Sequence, residues 1–271
     1  MRHRVLLSLS AVLVVAALVW SMRGTKNSAA ISDARIDDAI ERGLAYLQRD
    51  RSDLSALIVL DYLQRRYGLG AELAFARTEE RPNDAKKLRT WGRFVGDDRW
   101  AEPMALGPFT SASTIEDVIA HTLYCDRVAL PSSFVPILRA FAARGDYALT
   151  HAPLALKLAH DNGCPVDDVA AMALEKLLRQ QLRGLILRRP QDRRFEALDV
   201  RYEALAVLVD LLAEREPPQG AVTSVLVEQQ PDGGWMPAAD QRSAAHPTVL
   251  AVWALLAWRH PDAPVVHFAR E

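Results

Sequence analysis

Apolar residues after position 32 recur at the spacing of α-helices, and two kinds of helix alternate along the chain. The first kind is amphipathic. Ile36 and Ile40 fall on one helical face, while acidic and basic residues occupy the other faces. The same pattern returns at 134–141, 174–185 and 222–226. Such a helix buries one stripe of its surface and leaves the opposite face in water.

The second kind of helix is apolar nearly all round, and it occurs at 54–63, 149–159, 200–212 and 247–258. Because such a helix has no polar face, it must be covered on every side. Each one follows an amphipathic helix after a short break. The breaks contain residues that favour helix starts or first turns, namely Ser52, Asp53, Thr150, Pro153 and Pro247.

This alternation predicts an all-α domain of repeated helical hairpins in two layers, with amphipathic helices outside and apolar helices inside. The hairpins span about 33–67, 131–162, 166–215 and 217–260. The stretch 68–130 is less regular and contains one good helix pattern near its end. Repeated helical hairpins form either an open solenoid or a closed toroid.

A separate feature stands at the start of the chain, where a basic start precedes an apolar run at 5–20. This order is typical of a secretory signal or a signal-anchor. We predict an uncleaved transmembrane anchor at 1–22, with a cleaved signal peptide as the alternative. A linker follows at 23–32, and the helical domain occupies 33–271. Either alternative places the domain outside the cytoplasm, on the periplasmic or cell-surface side.

The composition is compatible with one sizeable core, because half of the 271 residues are hydrophobic. The chain has 33 basic and 34 acidic residues and a formal net charge of −1. This balance creates no strong field of one sign and argues against nucleic acid as a partner.

Two short stretches together resemble the QW repeat of squalene-cyclase-like proteins. One is RGLAYLQ at 42–48, and the other is QQPDGGW at 229–235. The repeat has a basic residue and glycine, an aromatic–leucine pair, and then glutamine and Gly-x-Trp. Gln229, Gly233 and Trp235 match its second half at the right spacing. The resemblance implies the α/α-toroid of terpene cyclases and prenyltransferases, closed or partly open.

We expect the residues of this motif to be structural. Gln229 would cap backbone groups at the end of an outer helix. Gly233 and Gly234 would permit a turn, and Trp235 would fill the gap between neighbouring hairpins. The catalytic Asp-x-Asp-Asp motif of class II terpene cyclases and the Gly-Cys-Gly-Glu-Gln thioester of complement-like toroids are both absent from the sequence.

Two interpretations compete for the cysteines. Asp117, His121 and Cys125 recur every fourth residue, share a helix face and offer ligand types that zinc binds. Protein prenyltransferases of this fold bind zinc through Asp, Cys and His. We expect no cofactor, with zinc as the alternative. The alternative is a disulfide between Cys125 and Cys164, the only two cysteines. We favour the disulfide, because a pairing needs only two groups.

The beginnings of the inner helices form a third candidate site. In closed toroids these ends tend to face one mouth of the central cavity. Here they supply His151, Tyr202, Glu203 and His246. Two histidines with a glutamate suit general acid–base catalysis or metal binding. The alternative is that both histidines are capping residues or buried structural residues.

The function predicted from these observations is a membrane-tethered, extracytoplasmic toroid that binds a hydrophobic or peptide ligand as a non-catalytic scaffold, since the acid and thioester motifs are absent. The alternative is a toroid enzyme, with or without zinc, acting on an isoprenoid-like or peptide substrate. Clustering of His151, Glu203 and His246 at one cavity mouth would favour the enzyme. Scatter over the outer surface would favour the scaffold.

Overall fold

The computed structural model describes residues 32–70, 87, 90–95, 106–188, 197–238, 241–266 and 268. Within these ranges the chain forms nine helices and no strand, apart from one isolated bridge between Trp235 and Ala244. The predicted all-α class is confirmed. The range Asp33–Glu271 is one compact unit. Because this unit has its own hydrophobic core, we expect it to fold without the first 32 residues.

Nine helices follow one another along the described ranges, and residues 68–114 separate the second from the third. The helices are α1 (Asp33–Arg49), α2 (Leu54–Tyr67), α3 (Ile115–Leu123), α4 (Phe134–Ala142), α5 (Asp146–Asp161), α6 (Asp168–Leu187), α7 (Ala197–Asp210), α8 (Ala221–Glu228) and α9 (Ala245–Arg259).

The two predicted kinds of helix are present. The amphipathic α1 buries one face, which includes Ile36, Ile40 and Leu47. In contrast, α9 is buried along almost its whole length, from Ala245 to Ala257 apart from His246. Helices α2, α5, α7 and α9 are buried on most faces and are called here the inner helices, and each of the amphipathic helices α1, α4, α6 and α8 contacts at least one of them.

The inner helices contact one another in a definite order. Helix α9 contacts α2 on one side and α7 on the other, α7 contacts α5, and α5 contacts α3. Residues 90–95 lie between α2 and α3. There, the Phe94 ring lies 5.7 Å from that of Tyr62, and Arg93 donates a hydrogen bond of 2.6 Å to the Leu123 carbonyl oxygen. Each inner element therefore has neighbours on two sides.

Most of the predicted helix starts are confirmed, with one error. Asp53 caps α2 by accepting a 2.7 Å hydrogen bond from the Ser55 backbone N–H, and Pro247 lies in the first turn of α9. The start predicted near Pro153 is wrong, because α5 begins seven residues earlier and contains this proline. The chain turns into α5 at Gly145, whose φ is +79°.

The two stretches that resemble the QW repeat lie against each other, although they come from the first and last hairpins. The Arg42 guanidinium donates to the Gln229 side-chain oxygen. The Gln229 amide donates to the Ala39 carbonyl oxygen at 2.9 Å, in the middle of α1. Gln229 is the C-cap residue of α8, as its predicted place at the end of an outer helix requires, but its side chain bonds to the middle of α1 rather than to that helix end. Trp235 is fully buried between the hairpins, as predicted, and its Nε1 donates to the Val225 carbonyl oxygen at 2.8 Å.

Gly233 and Gly234 are required because the two stretches that resemble the QW repeat approach each other closely. Gly233 has a φ of +91°, and a Cβ atom there would lie 2.5 Å from the Arg42 carbonyl oxygen. A Cβ atom on Gly234 would lie 2.9 Å from the Tyr46 ring. The turn predicted at these glycines is confirmed, and its tightness lets α1 pack against the loop before α9.

None of the helices in the described ranges combines the length and apolar character that a membrane span requires. The predicted anchor at 1–22 lies outside the described residues, and so does the linker at 23–32 apart from its last residue. Both remain predictions.

Candidate functional site

The inner helices surround a cavity of about 570 Å³. This volume lies within the range of small-molecule sites in proteins. Its middle is walled mainly by apolar and aromatic side chains from α2, α5 and α9, including Ile58, Tyr62, Leu154, Leu250 and Trp253. The segment after α9 adds Val266 and Phe268 to the wall. The cavity is therefore suited to an apolar body.

The cavity extends along the inner helices. Helix α2 lines it from Ser55 to Arg66, and α5 lines it from Tyr147 to Asp161. At a rise of 1.5 Å per residue, these contacts span about 15 to 20 Å. One end lies at the beginnings of the inner helices, and the other lies where α2 and α7 end.

The first end, called here the His–Glu end, contains Tyr147, His151, Glu203 and His246. The His151 Nδ1 atom lies 2.9 Å from the Tyr147 carbonyl oxygen and 3.2 Å from Glu203 Oε1. His246 Nε2 lies 3.9 Å from Asp199 Oδ2, and the Tyr147 hydroxyl donates to the same carboxylate oxygen. Residues from α5, α7 and α9 thus converge at one end of the cavity.

Burial keeps the His151–Glu203 pair uncharged near neutral pH. Desolvation raises the pKa of Glu203 to about 8, although the nearby His246 opposes this shift. Desolvation also lowers the pKa of His151 to about 4. Between these two values the glutamic acid keeps its proton and the imidazole is neutral. The pair combines a proton donor with a neutral base, as general acid–base chemistry requires.

Two buried polar atoms of this cluster have no hydrogen-bond partner among the described residues. They are Glu203 Oε2 and His246 Nδ1. Since buried polar groups are nearly always paired, such atoms mark a place where a ligand or water completes the hydrogen bonding. Both residues line the cavity.

The opposite end of the cavity is called here the Arg66–Asp210 end. The Arg66 guanidinium lies 2.5 Å from Asp210 Oδ1. Asp210 Oδ2 accepts hydrogen bonds from the Tyr62 hydroxyl at 2.8 Å and from Trp253 Nε1 at 2.7 Å. Sequence reasoning missed this network. In the sequence, Arg66 and Asp210 are single charged residues near the ends of apolar helices. They could not be told apart from ordinary helix-terminal charges.

Three of the four predicted catalytic residues meet at the His–Glu end: His151, Glu203 and His246. Tyr202 does not line the cavity. It is buried on another face of α7, where burial and the neighbouring Glu228 raise its pKa. The expectation that all four residues face one mouth is therefore wrong for Tyr202, because consecutive helical residues point in directions about 100° apart.

The predicted disulfide between Cys125 and Cys164 is confirmed. It links the turn after α3 to the end of α5 and occupies the sulfur that the zinc alternative needed. Asp117 forms a capping box with Thr114, and His121 Nε2 donates to the Gly107 carbonyl oxygen at 2.8 Å. No group of three or more potential ligands in the described ranges is arranged to hold a metal ion. The Asp117, His121 and Cys125 site therefore has no geometric support.

Comparisons with protein-family models, with curated proteins and with solved structures find no match to this chain. The resemblance to the toroid family rests on residues 42–48 and 229–235, which lie side by side in the structure. Functional inference therefore depends on the chemistry of the cavity.

Proposed function

We propose that this domain is a small α/α-toroid that binds a largely apolar ligand in its central cavity. The toroid is supported by the order of contacts, which runs from α2 through α9, α7 and α5 to α3 and returns through residues 90–95. Packing of the first hairpin against the last supports the same arrangement, because neighbours in space then come from the two ends of the chain.

One observation carries the proposed binding function, namely an apolar wall between two polar ends of the same cavity. Tyr62, Leu250 and Trp253 belong to this wall. A bound peptide would bring backbone polar groups that need partners along their whole length. The middle of the cavity supplies few such partners, which favours a hydrocarbon-like body over a peptide.

The experiment is a titration of residues 33–271 with N-phenyl-1-naphthylamine, whose fluorescence rises in apolar sites. Val59 lines the cavity and is only partly covered, so Val59→Trp fills space without disturbing the tightest core. Val169 is 74% exposed on the outer helix α6, and Val169→Trp is the matched control. We expect saturable binding by the wild type and the control, and weakening of at least tenfold in Val59→Trp. Equal binding by all three proteins would contradict the proposal.

We also propose that the domain works outside the cytoplasm, tethered by its N-terminal segment. The disulfide supports this, because such bonds persist mainly in oxidising compartments. Membrane-impermeant thiol labelling of variants with one added cysteine, in intact cells and with the native disulfide kept, tests the location. We expect a cysteine placed at the exposed Val169 to react from outside. Labelling only after lysis would place the domain in the cytoplasm.

A second candidate function is an acid–base enzyme that transforms the bound ligand. The specific observation in its favour is the convergence of His151, Glu203 and His246 at one end of the cavity. In this reaction class Glu203 would donate a proton to the ligand, and a histidine would accept one. Cavity binding and catalysis share the same ligand, so the two functions are compatible.

Mass spectrometry of ligands extracted from the purified full chain supplies the substrate candidates for this test. Each ligand is incubated with the wild type, with Glu203→Ala and with Glu228→Gln. Glu228 is the matched control, because it is a partly buried glutamate outside the cavity. A product that forms with the wild type and Glu228→Gln, and that is lost with Glu203→Ala, would support the enzyme. Recovery of every ligand unchanged would support binding alone.

A further inference from the structure

The hydrogen bond between His151 and the Tyr147 carbonyl fixes where the imidazole carries its proton. A carbonyl oxygen can only accept, and it lies 2.9 Å from His151 Nδ1. The hydrogen must therefore be on Nδ1. Glu203 Oε1 lies 3.2 Å from the same nitrogen and is a second acceptor for that hydrogen.

This arrangement also determines how Glu203 presents its own proton. Because Oε1 faces an N–H donor, the carboxylic acid proton belongs on the other oxygen, Oε2. Glu203 is 95% buried, since only 5% of its surface is exposed, and Oε2 has no hydrogen-bond partner in the geometry of the described residues. The nearby Thr150 hydroxyl lowers the pKa of Glu203, but it donates its own hydrogen to the Tyr147 carbonyl oxygen. The burial that raises the pKa of Glu203 keeps this oxygen protonated at neutral pH. The side chain therefore offers an unused O–H donor where it lines the cavity.

The charges around this end disfavour an anionic ligand. Glu116 and Lys87 line the same part of the cavity, and both act on His151. Asp199 lies beside His246 and raises the pKa of Glu203. A carboxylate or phosphate head would face the Glu116 and Asp199 carboxylates, offset by Lys87 and by His246 when it is protonated, and it would also lose its hydration in a buried site. An ammonium head would meet an O–H donor at Glu203, where it needs an acceptor.

We propose that Glu203 recognises its ligand by donating a hydrogen bond from Oε2 to a neutral oxygen, so that the ligand is an apolar molecule ending in an alcohol or ketone. This inference rests on the proposed function, because it identifies the polar end of the molecule whose apolar body fills the cavity.

The experiment is competition with the naphthylamine probe by compounds that share one alkyl chain and differ only in the head group. They are dodecane, 1-dodecanol, 2-dodecanone, dodecanoate and dodecylammonium, each added below its solubility limit or micelle concentration. We expect the alcohol and the ketone to bind about fivefold more tightly than dodecane, the ratio that one neutral hydrogen bond gives. The anion and the cation should bind at least tenfold more weakly than the alcohol.

Three variants assign the preference to Glu203. Glu203→Gln keeps an N–H donor and should retain the preference for 2-dodecanone over dodecane. Glu203→Ala should lose it, and Glu228→Gln should leave it unchanged. The inference is overturned if Glu203→Ala keeps the preference, or if dodecanoate binds as tightly as dodecanol. Failure of every compound to displace the probe would instead count against the proposed binding function, whereas equal displacement by all heads would overturn only the inference about Glu203.

Discussion

Gly43 lies directly against the indole ring of Trp235, although one belongs to the first helix and the other precedes the last. A Cβ atom on Gly43 would lie 2.9 Å from Trp235 Cζ3 and 2.5 Å from Val252 Cγ2. Only a residue without a side chain fits between them. This contact joins the two ends of the domain, because Trp235 is fully buried there.

Replacing Gly43 with alanine should therefore destabilise the domain. The added methyl group must displace a packed ring or a valine, which costs about 1–3 kcal/mol. Gly184→Ala is the control, because Gly184 also lies inside a helix but has nothing within 4 Å of its Cβ position. That change should stabilise α6 by about 0.5–1 kcal/mol. Urea unfolding of residues 33–271 measures both, and equal effects would contradict the close packing.

The disulfide should contribute strongly to stability. Cys125 and Cys164 are 39 residues apart, and a loop of this size gives about 4 kcal/mol by the chain-entropy relation. We expect no reactive thiol in the denatured, unreduced protein and a loss of about 2–4 kcal/mol in the double alanine variant. Two free thiols together with one bound zinc ion would instead show that these cysteines bind metal and are not bridged.

Stability should fall as the pH rises from 6.5 to 8. Glu203 has its pKa raised from 4.5 to about 8 on folding, so the stability it contributes in its protonated form is lost between these values. The pKa of His151 is lowered from 6.5 to about 4, so most of its effect on stability lies below pH 6.5, and the remainder has the opposite sign and is the same in the wild type and in Glu203→Gln. The upper window therefore isolates Glu203.

In this window the wild type should lose about 2 kcal/mol relative to Glu203→Gln, which cannot ionise. Urea unfolding at pH 6.5 and at pH 8 measures the difference, with Glu228→Gln as the control that should follow the wild type. If the free energy of unfolding changes equally with pH in the wild type and in Glu203→Gln, then Glu203 in the folded protein is already ionised at pH 6.5.

Removing the carboxylate at the Arg66–Asp210 end should be more damaging than removing both charges. Asp210→Ala leaves the Arg66 guanidinium, which is 9% exposed, without its partner and should cost about 3–5 kcal/mol. The double variant Arg66→Met, Asp210→Ala should recover part of this loss. Trp253 fluorescence should shift in Asp210→Ala, because its Nε1 donates to this carboxylate. If the double variant instead loses the sum of the stabilities lost in the two single variants, the interaction between Arg66 and Asp210 is not coupled.

The all-α class and the two kinds of helix could be predicted because burial dictates composition. Helices such as α9 are apolar on all sides, and only a helix covered on all sides has that pattern. The start of α5 was predicted wrongly because proline favours first turns, yet Pro153 lies inside the helix while Gly145 makes the turn. Proline and glycine each favour a chain break there, and the sequence alone does not show which of the two residues begins the helix.

The candidate site was only partly predictable for a related reason. The three apolar helices α5, α7 and α9 could be recognised from the sequence, which brought out His151, Glu203 and His246, although the start of α5 was misplaced. The direction in which each side chain points depends on how the helix is rotated in the packed domain. For this reason Glu203 lines the cavity and its neighbour Tyr202 does not. The unpartnered Oε2 atom of Glu203 emerges only when the surrounding helices are in place.

The most direct measurement is a crystal structure of residues 33–271 grown with ω-bromododecanol, in which the bromine gives an anomalous signal. We predict one bromine peak inside the cavity near Trp253 or Phe268, with the alcohol oxygen within hydrogen-bond distance of Glu203 Oε2. An empty cavity, or a bromine peak only on the outer surface, would contradict the proposal that this domain holds an apolar ligand at its centre.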